Sequence, residues 1–172
     1  MLQVTKHAVD SDTIDSVLKF YRSCTNQITL NGDVRDRHYA SSVGHFMITE
    51  MHDHEVPELW PQVRSAIQQD TGYDPKLCYI RVLKYNRTCH IPVHVDTYAT
   101  DVQHPSNVSV IIQASDPESY RGGELIVNKR LMDMQLGDMV LYTYDNPHEV
   151  KTVKQGARYV INIRCYVEEL IK

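Results

Sequence analysis

The sequence contains no long run of apolar residues, and its N-terminus includes no apolar segment of the kind that directs secretion. We therefore expect a cytoplasmic protein without a membrane partner. An excess of charge of either sign is missing as well, because 18 basic and 22 acidic side chains leave a net charge of −4. A mildly acidic chain does not favour nucleic acid as a partner, although the net charge does not exclude a local basic patch.

Cysteine is also scarce. The four cysteines, Cys24, Cys78, Cys89 and Cys165, form no Cys-x-x-Cys pair and no zinc-binding spacing. They are predicted to be reduced packing residues in a reducing compartment. Internal repeats, low-complexity tracts and linkers are absent too, and 172 residues suffice for one domain with a sizeable core. We expect a single domain over residues 1–172.

Two amphipathic helices are predicted in the first half of the chain. Apolar residues recur at i, i+3, i+4 and i+7 from Thr13 onward, and Ser11 or Asp12 is expected to supply the N-cap. The same spacing follows Pro57, and Gly72 offers a stop for that second helix. We expect both helices to cover one face of a β core.

The second half of the chain changes to short runs rich in β-branched and aromatic residues, separated by turns. Seven strands are predicted at 77–85, 91–96, 108–114, 124–128, 139–144, 148–153 and 159–167, with a weak eighth at 130–135. Such strands with tight turns are typical of a jelly roll, the double-stranded β-helix, or a related barrel. We therefore predict a mainly β fold with N-terminal helices (α+β), in which residues 76–168 form the core and residues 1–75 supply the helical cover and substrate-side loops.

A pattern of metal ligands lies in the second of these strands. His94 and Asp96 are two residues apart, so on a strand both side chains point to the same face, which His90 shares. His148 follows much later, on another predicted strand. Two imidazoles and one carboxylate form the facial triad of non-haem Fe(II) oxygenases, which leaves coordination positions open. An isolated His-x-Asp also arises by chance in a chain with nine histidines. The accompanying motifs therefore decide between a metal site and a chance match.

Those motifs follow one another in a set order along the second half of the chain. They are Tyr85, His94-Val95-Asp96, the run Tyr120-Arg121-Gly122-Gly123-Glu124-Leu125, Gly137-Asp138, Pro147-His148 and Gly156-Ala157-Arg158. In this order they resemble the Fe(II)/2-oxoglutarate-dependent dioxygenase superfamily, in particular its prolyl-4-hydroxylase-like branch and the PKHD-type relatives. The resemblance covers residues 85–167.

The resemblance implies roles for several residues. It implies that His94, Asp96 and His148 hold Fe(II), and that Arg158 binds the distal carboxylate of the cosubstrate 2-oxoglutarate, for which a planar guanidinium is well suited. A surface ion pair on the last strand is the alternative for Arg158. Tyr85 is predicted either to donate its hydroxyl to the cosubstrate or to be a core tyrosine. No catalytic residue is expected beyond the metal ligands, because iron, cosubstrate and O2 perform the chemistry.

The chain also departs from the pattern. Thr88 and Ile91 stand where many relatives have glycine and tyrosine, so a tyrosine contribution from that position is absent. Arg164 stands where hydroxylases of this branch often have an aromatic residue, and the Arg158-x5-Arg164 pair is similar to the nucleic-acid dealkylase branch. Asn162 shares the strand face of both arginines. Arg164 is predicted to contact cosubstrate or an anionic substrate, or else to be a solvated charge near the strand end.

Substrate contacts are predicted only in outline. The candidate substrate-binding residues are His90, Tyr98, Asn162 and Arg164. The polar loops at 31–44 and 97–107, with Arg35 and Arg37, are expected to line the site. Cys89 is expected to pack rather than react. The carboxylate of Asp96 argues against a halogenating enzyme, since halogenating members of the superfamily carry a small residue there.

The resemblance therefore implies an Fe(II)- and 2-oxoglutarate-dependent dioxygenase that hydroxylates a C–H bond of a small molecule, an amino acid or a peptidyl residue and releases succinate and CO2. Two alternatives stay open. One is a nucleic-acid oxygenase or dealkylase of the same superfamily, which Arg164 favours and the acidic balance disfavours. The other is a cupin-like metal-binding protein without oxygenase activity, which would leave Arg158 without a role.

Overall fold

The computed structural model describes residues 1–24, 28–30, 46–96 and 106–170, and within them the chain folds mainly into antiparallel strands with a few helices. The strands are β1 (Leu2–Thr5), β2 (Ile28–Leu30), β3 (Phe46–Met51), β4 (Lys76–Tyr85), β5 (Ile91–His94), β6 (Val108–Gln113), β7 (Arg121–Gly122), β8 (Leu125–Val127), β9 (Arg130–Leu131), β10 (Met139–Thr143), β11 (His148–Val150), β12 (Val153–Gln155) and β13 (Arg158–Tyr166). The helices are α1 (Ser11–Ser23) and α2 (Leu59–Thr71), with short 3-10 turns at Asp53–Glu55, Pro117–Ser119 and Glu168–Leu170.

The first helix is capped one residue before its predicted start. Asp10 keeps an extended backbone (φ −71°, ψ 159°), and its Oδ1 accepts a hydrogen bond from the amide of Thr13 at 2.7 Å. The prediction that Ser11 or Asp12 caps this helix is wrong, because both residues already belong to its first turn. A side-chain cap requires a residue outside the helix whose oxygen reaches back to the N2 or N3 amide, and Asp10 meets that condition.

The second helix ends as predicted at Gly72. This glycine has a φ of 75°, the left-handed conformation that costs other residues energy, and its amide donates to the carbonyl of Gln68 at 2.9 Å. The helix begins at Leu59, two residues after Pro57, which therefore lies outside it. Within the described ranges no helix combines the length and the apolar character needed to cross a membrane.

The strands form two facing sheets and a small extra pair, and every pairing is antiparallel. The large sheet has the order β1-β10-β6-β13-β4-β3-β2, the smaller one has the order β5-β11-β8-β9, and β12 pairs with β7. Each of the eight predicted segments contains strand structure, although β5 ends at His94, β9 has only two residues, and the segment 148–153 is not one strand. It divides into β11 and β12, because the chain leaves its partner β8 after Val150 and then pairs with β7. Strands β1, β2 and β3 were not predicted from the sequence.

Strand β13 separates two hydrophobic clusters. Ile161 and Ile163 pack in the cluster that contains the apolar faces of α1 and α2. Val160 packs in the other cluster, with Leu125 and Val127 of the smaller sheet. This division follows from the alternation of side chains along a strand. The helices therefore cover one face of the large sheet, as predicted, and the smaller sheet lies against the other face.

The two buried cysteines, Cys89 and Cys165, are packing residues. All four carry free thiols, and Cys89 and Cys165 are fully buried. Burial raises the pKa of Cys165 to about 12 and also raises the pKa of Cys89 above its ordinary value. Since the thiolate is the reactive form, neither residue is a nucleophile at neutral pH, which agrees with the packing role predicted for Cys89.

Asp138 joins the N-terminal segment to the turn before β10. It is fully buried and accepts hydrogen bonds from the Lys6 ammonium at 2.8 Å, the His7 amide at 3.0 Å and the Gln135 amide at 2.7 Å. We expect Asp138→Ala to lower the free energy of unfolding by about 2–4 kcal/mol, because two backbone amides lose their acceptor. Urea denaturation measures this loss. Asp133→Ala, which removes an exposed carboxylate from the same turn, is the control, and an equal loss in both variants would contradict the prediction.

Candidate metal centre

Three ligand side chains converge where β5 pairs with β11. His94 ends β5, and His148, which begins β11, is its direct partner across the antiparallel ladder. Asp96 follows two residues after His94, and its amide donates to the carbonyl of Tyr144 at 3.0 Å. One ligand atom from each of the three side chains lies within 4.8 Å of the other two. The fold thus brings together the three residues of the predicted triad.

Backbone carbonyls orient both imidazole rings. The Nδ1 atom of His94 lies 2.9 Å from the carbonyl oxygen of Pro92, and the Nδ1 atom of His148 lies 2.9 Å from the carbonyl oxygen of Asn146. A carbonyl oxygen only accepts hydrogen bonds, so these contacts require the hydrogen on Nδ1 in both rings. The Nε2 lone pairs are then the ones available to a metal, as in other histidine ligands whose second nitrogen is held by the protein.

The carboxylate of Asp96 offers one oxygen to the same space. Its Oδ1 lies 3.8 Å from Nε2 of His148, whereas its Oδ2 accepts hydrogen bonds from Ser109 Oγ and Arg164 Nη1. Burial acts to raise the pKa of Asp96, but the charge of Arg164 together with His148 and Ser109 holds that pKa below its ordinary value. Burial also lowers the pKa of His148. At neutral pH the site therefore offers a carboxylate and a neutral imidazole, the forms that bind metals.

The donor set fits Fe(II). Two imidazole nitrogens and one carboxylate oxygen are the ligands of the facial triad, in which an octahedral ion keeps further positions for small molecules. A structural zinc site would need a fourth protein ligand, but in the described part of the chain only three metal-ligating side chains meet here. The arrangement can therefore hold a cation and leave it accessible.

Arg158 begins β13 directly opposite Tyr85 on β4. It is only 2% exposed, its Nε donates to Oε1 of Gln113 at 3.2 Å, and its guanidinium carbon lies 5.8 Å from the centre of the Tyr85 ring. No carboxylate within the described ranges forms an ion pair with it. A surface ion pair, the alternative considered for Arg158, is therefore wrong, because the side chain is buried between the sheets.

A cavity of about 370 Å³ opens beside Arg158. Gln113 contributes a polar group to its wall, and Leu125, Met132 and Met134 contribute apolar side chains. Burial of Arg158 lowers the local dielectric constant around its guanidinium and so strengthens the attraction of this cation for an anion. The cavity can accept a small carboxylate on an apolar stem.

Two adjacent glycines bring the backbone close to this cavity. Gly122 and Gly123 have φ values of 76° and 72°. A Cβ atom on Gly123 would lie 2.9 Å from Cγ2 of Val153 and 3.3 Å from Cδ of Arg158, and one on Gly122 would lie 2.1 Å from the carbonyl oxygen of Thr152. Larger residues are therefore excluded at both positions by conformation and by contact. This explains the Gly-Gly pair of the hairpin motif.

Arg164 faces the same side of β13 as Arg158 but lies beside the three converging ligand side chains. Its Nε donates to Oγ of Ser106 at 3.2 Å, and its Nη1 donates to Asp96 and to Ser109. The alternative that Arg164 is a solvated charge is wrong, because the residue is only 6% exposed. Its partner Asp96 is a predicted metal ligand, and this contact was not predicted from the sequence.

The remaining candidates differ in position. Asn162 lies between the two arginines on β13, opposite Ile111, is half-buried, and makes no side-chain hydrogen bond within the described part of the chain. His90 is half-buried, its Nδ1 lies 3.4 Å from the carbonyl oxygen of Thr88, and it is not one of the three converging ligands. Tyr98, together with Arg35, Arg37 and most of both predicted loops, lies outside the described residues.

Several residues around the site carry no motif in the sequence. Ser109 and Gln113 belong to the otherwise apolar strand β6, and each contacts one of the arginines of β13. The signal that could have found them is two polar residues on the same face of a buried strand, spaced by an even number. Asn146, whose carbonyl orients His148, acts through its backbone and leaves no such signal.

Comparison with protein families gives one match to this region. The model of the 2OG-Fe(II) oxygenase superfamily matches residues 80–165, half of the chain. A PKHD-type hydroxylase from Crocosphaera subtropica is 35% identical over 118 residues, which are 62% of this chain and 53% of that protein. A PKHD-type hydroxylase from Pseudomonas putida is 28% identical over 128 residues, 67% of this chain and 54% of that protein. The chain spans about half the length of these curated relatives.

Solved structures share the fold at low sequence identity. An oxidoreductase of the 2OG-Fe(II) oxygenase family from Burkholderia pseudomallei superposes with a TM-score of 0.74 at 12% identity, covering 96% of this chain and 85% of that one. A prolyl-4-hydroxylase from Pseudomonas putida superposes with a TM-score of 0.69 at 15% identity, covering 96% of this chain and 91% of that one. The likeness extends over nearly the whole chain, beyond the segment that the family model matches.

Proposed function

This chain belongs to the 2OG-Fe(II) oxygenase superfamily, and on that premise we propose that it is an Fe(II)- and 2-oxoglutarate-dependent dioxygenase. It hydroxylates a C–H bond of a peptidyl residue, an amino acid or a small molecule, with release of succinate and CO2. The observation that carries the proposal is the convergence of His94, Asp96 and His148 within 4.8 Å, with both rings already oriented by backbone carbonyls. We further propose that its two facing sheets form a double-stranded β-helix within one domain, working in the cytoplasm.

The metal would be held by Nε2 of His94, Nε2 of His148 and Oδ1 of Asp96. When bound, Fe(II) and 2-oxoglutarate supply the oxidising chemistry, in which O2 decarboxylates the keto acid and leaves one oxygen atom on the substrate carbon. The protein fixes the ligands in place: the ring of Tyr142 packs 4.7 Å from that of His148, which limits rotation of the imidazole. No side chain is required as a general base.

Arg158 binds the distal carboxylate of 2-oxoglutarate. Its Nε is held by Gln113, so the two terminal nitrogens remain to meet a carboxylate. The apolar side chains of Leu125 and Met132 in the adjoining cavity suit the methylene groups of the keto acid. Tyr85, next to Arg158 across the ladder, is placed to support the cosubstrate as well as the core.

The two alternatives are weaker. Arg164 was the feature that favoured a nucleic-acid dealkylase, but its Nη1 is bound to Asp96 inside the protein rather than displayed at a surface. A cupin-like protein without oxygenase activity gives no purpose to a buried arginine that lacks a carboxylate partner in the described ranges. The relatives that this chain is similar to by sequence are hydroxylases, which supports oxidation of a substrate C–H bond.

An anaerobic titration tests the proposal. Metal-free protein is loaded with Fe(II), and 2-oxoglutarate is then added while the visible spectrum is recorded. A keto acid chelated to Fe(II) gives a weak visible band, which we expect here to saturate with the cosubstrate. Succinate formation from a panel of prolyl peptides and free amino acids then identifies the substrate class. Iron binding without any band at high 2-oxoglutarate concentration would refute the dioxygenase and favour the cupin-like alternative.

A further inference from the structure

The two oxygens of the Asp96 carboxylate have different surroundings. Oδ2 accepts hydrogen bonds from both Ser109 and Arg164, whereas Oδ1 has neither contact and lies 3.8 Å from Nε2 of His148. The side chain of Asp96 is 19% exposed, and that of Arg164 is 8% exposed, so water does not screen this pair strongly. The carboxylate is therefore fixed by one edge and open at the other.

The strand register dictates this arrangement. Arg164 on β13 and Ser109 on β6 are direct partners across the ladder, so their side chains lie side by side on the face that meets the smaller sheet. Arg164 is anchored further by Ser106, and the hydroxyl of Tyr142 is hydrogen-bonded to Ser109. Arg164 and Ser109 of the large sheet thus bind one oxygen of a ligand that the segment after β5 supplies, and Ser106 and Tyr142 hold these two groups in turn.

A carboxylate beside a metal can bind through one oxygen or through two. Two-oxygen binding would occupy one more coordination position, and the proposed chemistry needs the open positions for the keto acid and O2. A planar guanidinium and a hydroxyl that both hold Oδ2 oppose rotation of the carboxylate toward the metal. They also compensate its buried charge before a cation arrives.

We propose that Arg164, together with Ser109, is a positioning residue that presents Asp96 to the metal through Oδ1 alone. The proposal rests on the proposed function, since it concerns the metal centre of the dioxygenase. The two arginines of β13 then have different roles: Arg158 binds the cosubstrate, and Arg164 sets the geometry of a metal ligand. It also gives a reason for an arginine where the hydroxylases of this branch often have an aromatic residue.

The test measures metal binding without any keto acid, so that activity plays no part. Co(II) replaces Fe(II), because its visible spectrum reports coordination number. We expect Arg164→Met to weaken Co(II) binding by about 10–100-fold, the range for the loss of a group that orients a metal ligand. Its Co(II) spectrum should also change, because the freed carboxylate binds through both oxygens. Arg164→Lys, which keeps the charge but not the planar fork, should restore part of the affinity without restoring the spectrum.

Arg158→Met is the matched control. It removes an arginine from the same face of the same strand, equally buried, that has no contact with a metal ligand. Its Co(II) affinity and spectrum are expected to equal those of the wild type. Ser109→Ala keeps the ion pair and removes one hydrogen bond to Oδ2, so it should change the spectrum in the same direction as Arg164→Met, with a smaller loss of affinity.

Each outcome decides something. If the wild type fails to bind Co(II), the metal centre itself is wrong and the proposed function falls. If the wild type binds and Arg164→Met matches it in affinity and spectrum, the positioning role is refuted while the proposed function stands. Circular dichroism checks that the variants fold. Should Arg164→Met not fold, Arg164→Lys and Ser109→Ala decide, and wild-type spectra in both would refute the proposal.

Discussion

Replacing His148 with alanine is expected to weaken metal binding by more than about 100-fold, beyond the loss caused by removing an outer group that merely orients a ligand. The imidazole is buried, its ring is held by the Asn146 carbonyl and by contact with Tyr142, and its Nε2 lies 3.8 Å from Oδ1 of Asp96. Alanine supplies no donor at this position, and no fourth metal-ligating side chain joins this cluster within the described residues. Equilibrium dialysis with Co(II), or calorimetry under anaerobic conditions with Fe(II), measures the loss.

A second histidine variant separates a ligand effect from a general loss of imidazole. His54 is exposed on the turn before α2 and stacks on the ring of His52, with ring centres 5.5 Å apart. His54→Ala should bind metal like the wild type. Equal affinity in His148→Ala and the wild type, with both proteins folded by circular dichroism, would remove His148 from the metal centre.

Arg158→Met should raise the Kd for 2-oxoglutarate by roughly 100-fold while leaving metal affinity unchanged. A charge-assisted hydrogen bond to a buried carboxylate contributes about 1.5–3 kcal/mol, and methionine keeps the volume and apolar stem of the arginine without its charge. The saturation of the visible band by the keto acid, recorded on the Fe(II)-loaded protein, gives this constant directly. The Kd of Arg158→Lys for 2-oxoglutarate is expected to fall between those of the wild type and Arg158→Met, since an ammonium keeps the charge but loses the second parallel hydrogen bond.

Lys84→Met is the control for charge alone. Lys84 is on β4, next in the chain to Tyr85, but its ammonium lies over the ring of Tyr159, which packs on the helix side of the sheet. Lys84→Met makes the net charge more negative by one unit, as Arg158→Met does, but it leaves the space between the sheets unchanged. A similar rise in Kd in both variants would mean that the keto acid senses overall charge, and the assignment of Arg158 would be wrong.

The elements around the site were predictable where local periodicity was strong. The alternation along β13 correctly placed Arg158 and Asn162 on one face, and the glycine stop of α2 followed from backbone conformation. The strand predicted at 91–96 ends at His94, and Asp96 reaches the other two ligands from the segment that follows it. Strand β1 was missed because its four residues offer too few positions for a period to stand out, and its partner β10 is far away in the sequence. Such short strands are fixed by tertiary pairing rather than by their own sequence.

The environment of the site depended on contacts that no single segment encodes. The hydrogen bond between Arg164 and Asp96 joins residues 68 positions apart, and it forms only where the segment after β5 meets the face of β13. Ser109 lies in an otherwise apolar strand, and its contact with Arg164 follows only from the pairing of β6 with β13. The capping of α1 by Asp10 instead of Ser11 is a shift of one position, within the range in which several short polar residues compete for the same amides.

Strand β13 has a consequence for how this protein can evolve. One face carries Arg158, Asn162 and Arg164 toward the space between the sheets, and the other carries Ile161 and Ile163 into the helix-covered core. An insertion or deletion of a single residue before Arg158 that shifted the strand by one step would exchange the two faces. Both arginines would then be buried against the helices while isoleucines faced His94, Asp96 and His148, so folding and metal binding would fail together. Length changes in this strand should therefore be purged even where point substitutions survive, and new specificities should arise in the loops instead.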